Sequence, residues 1–259
     1  MVEELQIRIH GADTLPTLVY LPGLHGDWTL VGGFRRQLAG KVRFVEFIYP
    51  RTLTWSLDDY AEAVENVLAQ NGVIGGWLLG ESYGSQIAWS LVARKKFSAQ
   101  GIILAGGFVR HPLRRGLRLM QPIFNLIPGR PLLGFLSIYA RMLRFRYRRS
   151  PETIASIDEF IVRRTELDYH AARHRLAQIA GFDPRETARA TRLPIFYLSG
   201  WLDPIVPWPL VRRWLRKNCP GLRGDKILFT TDHNILGTAP AQAARQILDW
   251  MQARTAFPS

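Results

Sequence analysis

The chain has 259 residues, 47% of them hydrophobic, enough to supply the core of one large domain with an inserted subdomain. A single cysteine, Cys219, excludes an internal disulfide or a cysteine metal cluster, and no stretch approaches the ~20 apolar residues of a spanning helix. Lys plus Arg number 34 against 21 Asp plus Glu, a net charge of +13, and the acidic start MVEELQIRIHGAD lacks the basic and apolar regions of a secretory leader, so a cytoplasmic location is expected.

In chain order, Leu5 to His10 alternates as an edge strand does, and Thr17 to Leu21 is a continuous apolar run. Val42 to Tyr49, Gly76 to Leu79 and Gly101 to Ala105 are further runs of this kind, and continuous apolarity predicts strands buried on both faces. Between Val42–Tyr49 and Gly76–Leu79, Ser56 offers an N-cap with an acid, Asp59, at the third helical position. Leu57, Tyr60, Ala61, Val64, Val67 and Leu68 then keep helical spacing until Asn71-Gly72. Ser85 to Ala93 has the apolar face of another helix.

After Gly106-Gly107 the rhythm changes. From about Arg110 to Arg189 there are only helical patterns, such as Pro151 to Arg164 and Tyr169 to Ile179, with Pro112, Pro122, Pro128 and Pro131 interrupting the earlier part. Leu193 to Ser199 and Lys226 to Thr231 then read as strands, and Gln242 to Gln252 as a terminal amphipathic helix. Strands alternating with helices predict a mostly parallel sheet flanked by helices. A helical block at 110–189, between core segments 1–109 and 190–259, predicts a cap over the edge where such sheets bind ligands.

The site candidates lie in loops after strands. Gly80-Glu81-Ser82-Tyr83-Gly84 follows an apolar strand and opens a helix. A serine on so sharp a turn needs glycine two places to either side, and its hydroxyl is lifted to a helix N-terminus. A serine hydroxyl is a weak nucleophile without a base, and the base needs an acid to hold its tautomer. Asp203, in Gly200-Trp201-Leu202-Asp203-Pro204, and His233, in Thr231-Asp232-His233, follow the last two strands in that chain order. Asp203 also suits a plain turn before Pro204, and Asp232 is a rival acid better suited to a turn. An oxyanion needs preorganised donors. Pro22-Gly23-Leu24-His25-Gly26 offers the Leu24 N–H to pair with that of Tyr83, or, read three places on with His25-Gly26 as the pair, that of Asp27. His25 and Glu81 are candidates for lining the pocket.

Taken together these motifs resemble the α/β-hydrolase fold, in its serine esterase and lipase-like branch with a helical cap between the sixth and seventh strands. The resemblance spans nearly the whole chain. It implies Ser82, His233 and Asp203 as a catalytic triad, Leu24 and Tyr83 as the oxyanion hole, and neither cofactor nor metal. Pro22-Gly23 stands where that fold has a His-Gly pair after its third strand, and Ser85 stands where its elbow has a further glycine. Gly200 to Pro207 keeps the acid-loop pattern, and Pro240 and the terminal helix follow the base. Serine in the elbow disfavours haloalkane dehalogenation, whose nucleophile in that fold is aspartate.

The implied activity is hydrolysis of a small-molecule carboxylic ester with an apolar acyl group. An acyl thioesterase and an interfacial lipase are the alternatives, and a catalytically silent binding or membrane-associating relative is the alternative of another class. Ten arginines and no acid lie between Arg110 and Arg149. Such an island is either a solvated cap or a contact for an anionic lipid surface or an acyl carrier, which would make the protein peripheral to the membrane. Nucleic acid is disfavoured because no helix-turn-helix, zinc or aromatic sheet motif accompanies the charge. His170 and His174 have the spacing of a zinc pair, but no glutamate or third ligand accompanies them, and a solvated helix face is expected.

Overall fold

A computed structural model describes residues 4–119, 141, 144–148 and 150–253. The strands are β1 (Gln6–His10), β2 (Thr17–Leu21), β3 (Arg43–Ile48), β4 (Gly75–Glu81), β5 (Ser98–Ala105), β6 (Ile195–Gly200) and β7 (Leu222–Leu228). They form one sheet in the order β1-β3-β2-β4-β5-β6-β7. β1 lies antiparallel at the edge beside β3, and every other pairing is parallel.

The flanking helices are α1 (Gly32–Leu38), α2 (Leu57–Gln70), α3 (Gly84–Arg94), α4 (Pro151–Val162), α5 (Glu166–Gly181), α6 (Arg185–Ala190), α7 (Trp208–Asn218), α8 (Ile235–Thr238) and α9 (Pro240–Ala253), with residues 114–119 also helical. Both faces of the sheet are covered, which is why its central strands carry no polar alternation. On β2, Val19 and Leu21 pack with the apolar sides of α2 and α3, through residues such as Val64 and Ile87. Leu18 and Tyr20 pack the other way, with Phe34 of α1 and Ile247 of α9. The start of α2 is set as its sequence predicts. Ser56 Oγ accepts the Asp59 N–H, and the Asp59 carboxylate accepts the Ser56 N–H.

Helices α4 to α6 lie between β5 and β6, and among the described residues of 106–194 there is no strand. The block therefore follows the fifth strand of this chain, one earlier than the resemblance counts. The same offset puts the Pro22-Gly23 turn after β2. The strand expected over Lys226–Thr231 instead runs Leu222–Leu228. It is an edge strand bearing Arg223, Asp225 and Lys226, with Arg212 and Arg216 of α7 paired to Asp225, so its sequence lacks an apolar run.

Strand order reverses between β2 and β4. Leu21 is in register with Gly80, and Gly80 with Leu104, so the ends of β2, β4 and β5 are level. In sheets of this kind the crevice for ligands opens at that reversal, beyond the carboxyl ends of the strands. The loops after β2 and β4 are the ones that carry Leu24 and Ser82.

Candidate active site

Ser82 sits between β4 and α3 with φ +48, a left-handed conformation that residues with a Cβ seldom adopt. The surroundings hold it there. Its N–H donates to Ala105 O at 3.0 Å, and its carbonyl accepts the Ser85 N–H at 3.0 Å and the Ser85 hydroxyl at 2.6 Å. The flanking glycines are required by space: a Cβ at Gly80 would lie 2.7 Å from Ser85 Cα. Ser85, in place of a glycine, fits because Gly107 faces it; a Cβ at Gly107 would meet Ser85 Cβ at 2.8 Å. The Ser85 hydroxyl also accepts the Phe108 N–H at 3.1 Å, tying the elbow to the chain after β5.

His233, in the loop after β7, brings Nε2 to 2.9 Å from Ser82 Oγ and Nδ1 to 2.7 Å from Asp203 Oδ2. A carboxylate can only accept, so Nδ1 carries the proton and the neutral ring offers Nε2 as acceptor to the serine hydroxyl. The Asp203 side chain is fully buried, and its Oδ1 accepts the Ile205 and Val206 N–H groups at 2.8 and 2.9 Å. Asp203 thus builds its turn and orients the histidine at once. Burial pushes the His233 pKa down, but the hydrogen bond and charge of Asp203, with Glu81 and Asp232 behind them, outweigh it and hold the value above 6.5. Gly106, at φ +56, lies beneath the ring; a Cβ there would be 3.3 Å from His233 Cε1.

Asp232 does not compete for the histidine. Its carboxylate accepts the Asn234 N–H at 3.1 Å and the Tyr147 hydroxyl at 3.2 Å.

The Pro22 to Gly26 turn abuts the elbow. A Cβ at Gly23 would be 3.6 Å from Ser82 Cβ. The Gly26 N–H closes the turn onto Gly23 O at 2.9 Å, so the Leu24 N–H, on the opposite edge of the same trans peptide, points out of the turn. Among the described hydrogen bonds, neither the Leu24 nor the Tyr83 N–H has a protein acceptor. The Asp27 carboxylate accepts the Thr29 N–H at 3.0 Å and pairs with Arg164.

The Glu81 carboxyl is turned toward the Tyr20 hydroxyl and the Gly23 N–H, and burial raises its pKa. His25 stands edge-on to Phe160 of α4 at 4.7 Å; burial, then the Arg164 charge, lower its pKa to about 4 and keep it neutral. His174 is half-buried and bonds Trp55 O at 2.9 Å, while His170 is exposed on its side chain and lies 3.9 Å from Glu166. Among the described residues no three His, Cys, Asp or Glu side chains gather as metal ligands do.

Two residues of this region escape a sequence reading. Arg164, in the link between α4 and α5, and Arg175 of α5 reach the Pro22 to Asp27 loop, Arg175 through Leu24 O at 3.0 Å. The signal for Arg175 is its place on the buried side of α5, with Ala172 three residues before and Ile179 four after.

Three of the island's arginines find anions within the described part of the chain. Arg110 and Arg114 share Asp183, and Arg144 pairs with Asp158. Arg118 donates to Ala180 O, and Arg146 to Thr230 O. Arg130, Arg149, Pro122, Pro128 and Pro131 lie outside the described residues.

No family model and no curated protein matches the sequence. Solved structures do. An enol-lactonase from Burkholderia xenovorans superposes with a TM-score of 0.76 at 16% identity, covering 96% of each chain. A thermophilic esterase from Thermogutta terrifontis gives 0.73 at 19%, over 96% of this chain and 93% of the other. MGS-M2, an alpha/beta hydrolase enzyme from a Medee basin deep-sea metagenome library, gives 0.74 at 13%, over 95% and 93%. The chain has the α/β-hydrolase fold.

Proposed function

We propose that the protein is a serine hydrolase that cleaves a carboxylic ester through an acyl-serine intermediate, with residues 1–109 and 190–259 as the hydrolase core and 110–189 as its cap. One observation carries this reading: the unbroken row from Ser82 Oγ through the His233 ring to the buried Asp203 carboxylate, at 2.9 and 2.7 Å. A structural serine has no need of the strained backbone that presents it to an imidazole.

In this reading His233 Nε2 takes the Ser82 proton as Oγ bonds to the ester carbonyl carbon, and the Leu24 and Tyr83 N–H groups hold the resulting oxyanion. Donors of this kind are worth about 10²- to 10³-fold in kcat each. Protonated His233 gives its proton to the alkoxy oxygen as the C–O bond breaks, and the alcohol leaves. A water then gives a proton to His233 and its oxygen to the acyl carbon; collapse returns the proton to Ser82 and frees the acid. The esterase and the lactonase among the superposed structures support the reaction class.

The second reading, action at an anionic lipid surface or on an acyl carrier, is favoured by the rim near the acid loop. Trp201 packs at a tilt against Trp208 and Phe229, Phe229 is 71% exposed, and Arg146, on the same segment as Arg148, donates to the neighbouring Thr230 O. Exposed aromatics beside arginines suit a lipid interface. Among the described residues no helix is long and apolar enough to cross a membrane, so contact would be peripheral.

A series of p-nitrophenyl esters of increasing acyl length, run beside matched acyl thioesters with wild type and Ser82→Ala, tests both. Ester turnover lost in Ser82→Ala supports the first reading; turnover that survives the substitution removes it. Thioesters cleaved faster than esters, or activity raised by anionic but not neutral vesicles, would favour the second.

A further inference from the structure

Arg175 is 1% exposed, and among the described residues no carboxylate lies within salt-bridge distance of it. Burying a guanidinium without a counter-ion is costly, and Met or Leu would fill the same space without that cost. The residue is nevertheless satisfied. Nη1 donates to Leu24 O at 3.0 Å, Nη2 to Pro50 O at 2.9 Å and Nε to the Tyr60 hydroxyl at 3.4 Å, with the Tyr49 and Tyr60 rings 5.4 and 5.8 Å from the guanidinium carbon. It bridges the loops after β2 and β3.

The contact with the turn is close on every side. A Cβ at Gly26, whose φ is +74, would lie 2.4 Å from Nη1, so only glycine lets the guanidinium rest against the loop. With Gly23 O tied to the Gly26 N–H and Leu24 O tied to Arg175, the peptides on both sides of Leu24 are fixed. One helical turn along the same face of α5, three residues on, Gln178 Oε1 accepts the Tyr83 hydroxyl at 2.5 Å. A single helix outside the sheet therefore grips both residues whose N–H groups would face an oxyanion.

From this we infer that Arg175 is a positioning residue for the oxyanion hole: a cation supplied by the inserted helices that anchors the peptide following Leu24 and so holds the turn that aims the Leu24 N–H, with Gln178 holding Tyr83 through its side chain. The inference rests on the hydrolase reading above. Its cost is accepted because donors aimed in advance stabilise a developing charge without reorganising during the reaction.

The test uses the full-length protein, with kinetic constants expressed per site labelled by a fluorophosphonate. Arg175→Met lowers kcat about 10- to 100-fold with KM within about twofold, the range expected when a catalytic donor is displaced but not deleted. Affinity for a trifluoromethyl ketone, whose serine adduct carries the oxyanion, falls by the same factor. The pH profile keeps its acid limb because His233 and Asp203 are untouched. Arg175→Lys keeps the charge but cannot span both carbonyls, and shows the same pattern more weakly; it serves if Arg175→Met does not fold. Gln178→Met gives a several-fold loss of the same kind. Per-site kcat and ketone affinity within twofold of wild type, with only fewer labelled sites or a lower Tm, mean a purely structural role and overturn the inference. A wild type that the fluorophosphonate does not label removes the hydrolase reading and this inference with it.

Discussion

Gly84 presses its α-carbon against the Leu21 carbonyl, so closely that a Cβ at Gly84 would lie 2.0 Å from that oxygen. The contact joins the first turn of α3 to the end of β2, and it is what brings the elbow at Ser82 beside the turn at Leu24. Neither backbone segment can yield without breaking the sheet register between Leu21 and Gly80. Gly84→Ala should cost at least about 3 kcal/mol by overpacking and remove most activity. Thermal unfolding and the labelled fraction of Ser82 check this; a variant with wild-type Tm and activity would show that the approach is looser than described.

The His233 shift predicts the acid side of the pH profile. In the proposed mechanism His233 must be neutral to accept the serine proton, so kcat/KM is expected to fall as pH drops through its free-enzyme pKa, which is raised above the usual histidine value. Asp203→Asn removes the hydrogen bond and charge that raise it and leaves the burial that lowers it. The acid limb then moves to lower pH, while kcat drops by about 10⁴ through loss of the correct tautomer. Initial rates from pH 5 to 9 decide the matter, and a limb that stays put or moves up in the variant contradicts the assignment of Asp203.

Asp27 and Arg164 form an ion pair in which both side chains are nearly buried, at 11% and 5% exposure. Removing one partner of a buried pair strands the other, at about 3–5 kcal/mol. Asp27→Ala is expected near that cost, reduced by the second carboxylate, Asp168, 3.9 Å from Arg164. The double variant with Arg164→Met should recover most of it. Denaturant unfolding of the four proteins of this cycle measures the coupling, and additive losses would mean that the pair contributes nothing.

Ser56→Ala removes the side-chain acceptor of the α2 capping box, far from the triad in the chain. A loss of about 1 kcal/mol is expected, read as a Tm lowered by about 2–4 °C, with kcat unchanged.

Much of this architecture is legible in the chain because local chemistry and the tertiary fold ask for the same residues. Thr17–Leu21 is continuous because both its faces are covered, and the Ser56-to-Asp59 spacing marks a helix start that the structure uses. Ser82, Asp203 and His233 are readable because each follows a strand, and parallel strands bring such loops to one edge. Where edges and charges intervene, the pattern fails. β7 is masked by Arg223, Asp225 and Lys226, and α7 by Arg212, Arg213, Arg216 and Lys217. Arg110, Arg114 and Arg144 look unpaired in sequence because Asp158 and Asp183 lie beyond the end of the island, in and after helices that fold back. Arg175 is the deepest omission: beside the Tyr60 hydroxyl its partners are backbone carbonyls of two distant loops, which leave no trace in a sequence, so its place on the buried side of α5 is its one signal.

Intact-mass and peptide mass spectrometry after exposure to a fluorophosphonate tests the central claim most directly. The account predicts one adduct per chain, on the peptide bearing Ser82, formed faster as pH rises past the His233 pKa and absent from Ser82→Ala and His233→Ala. A native protein that takes no adduct, or an adduct that persists in Ser82→Ala, would contradict it.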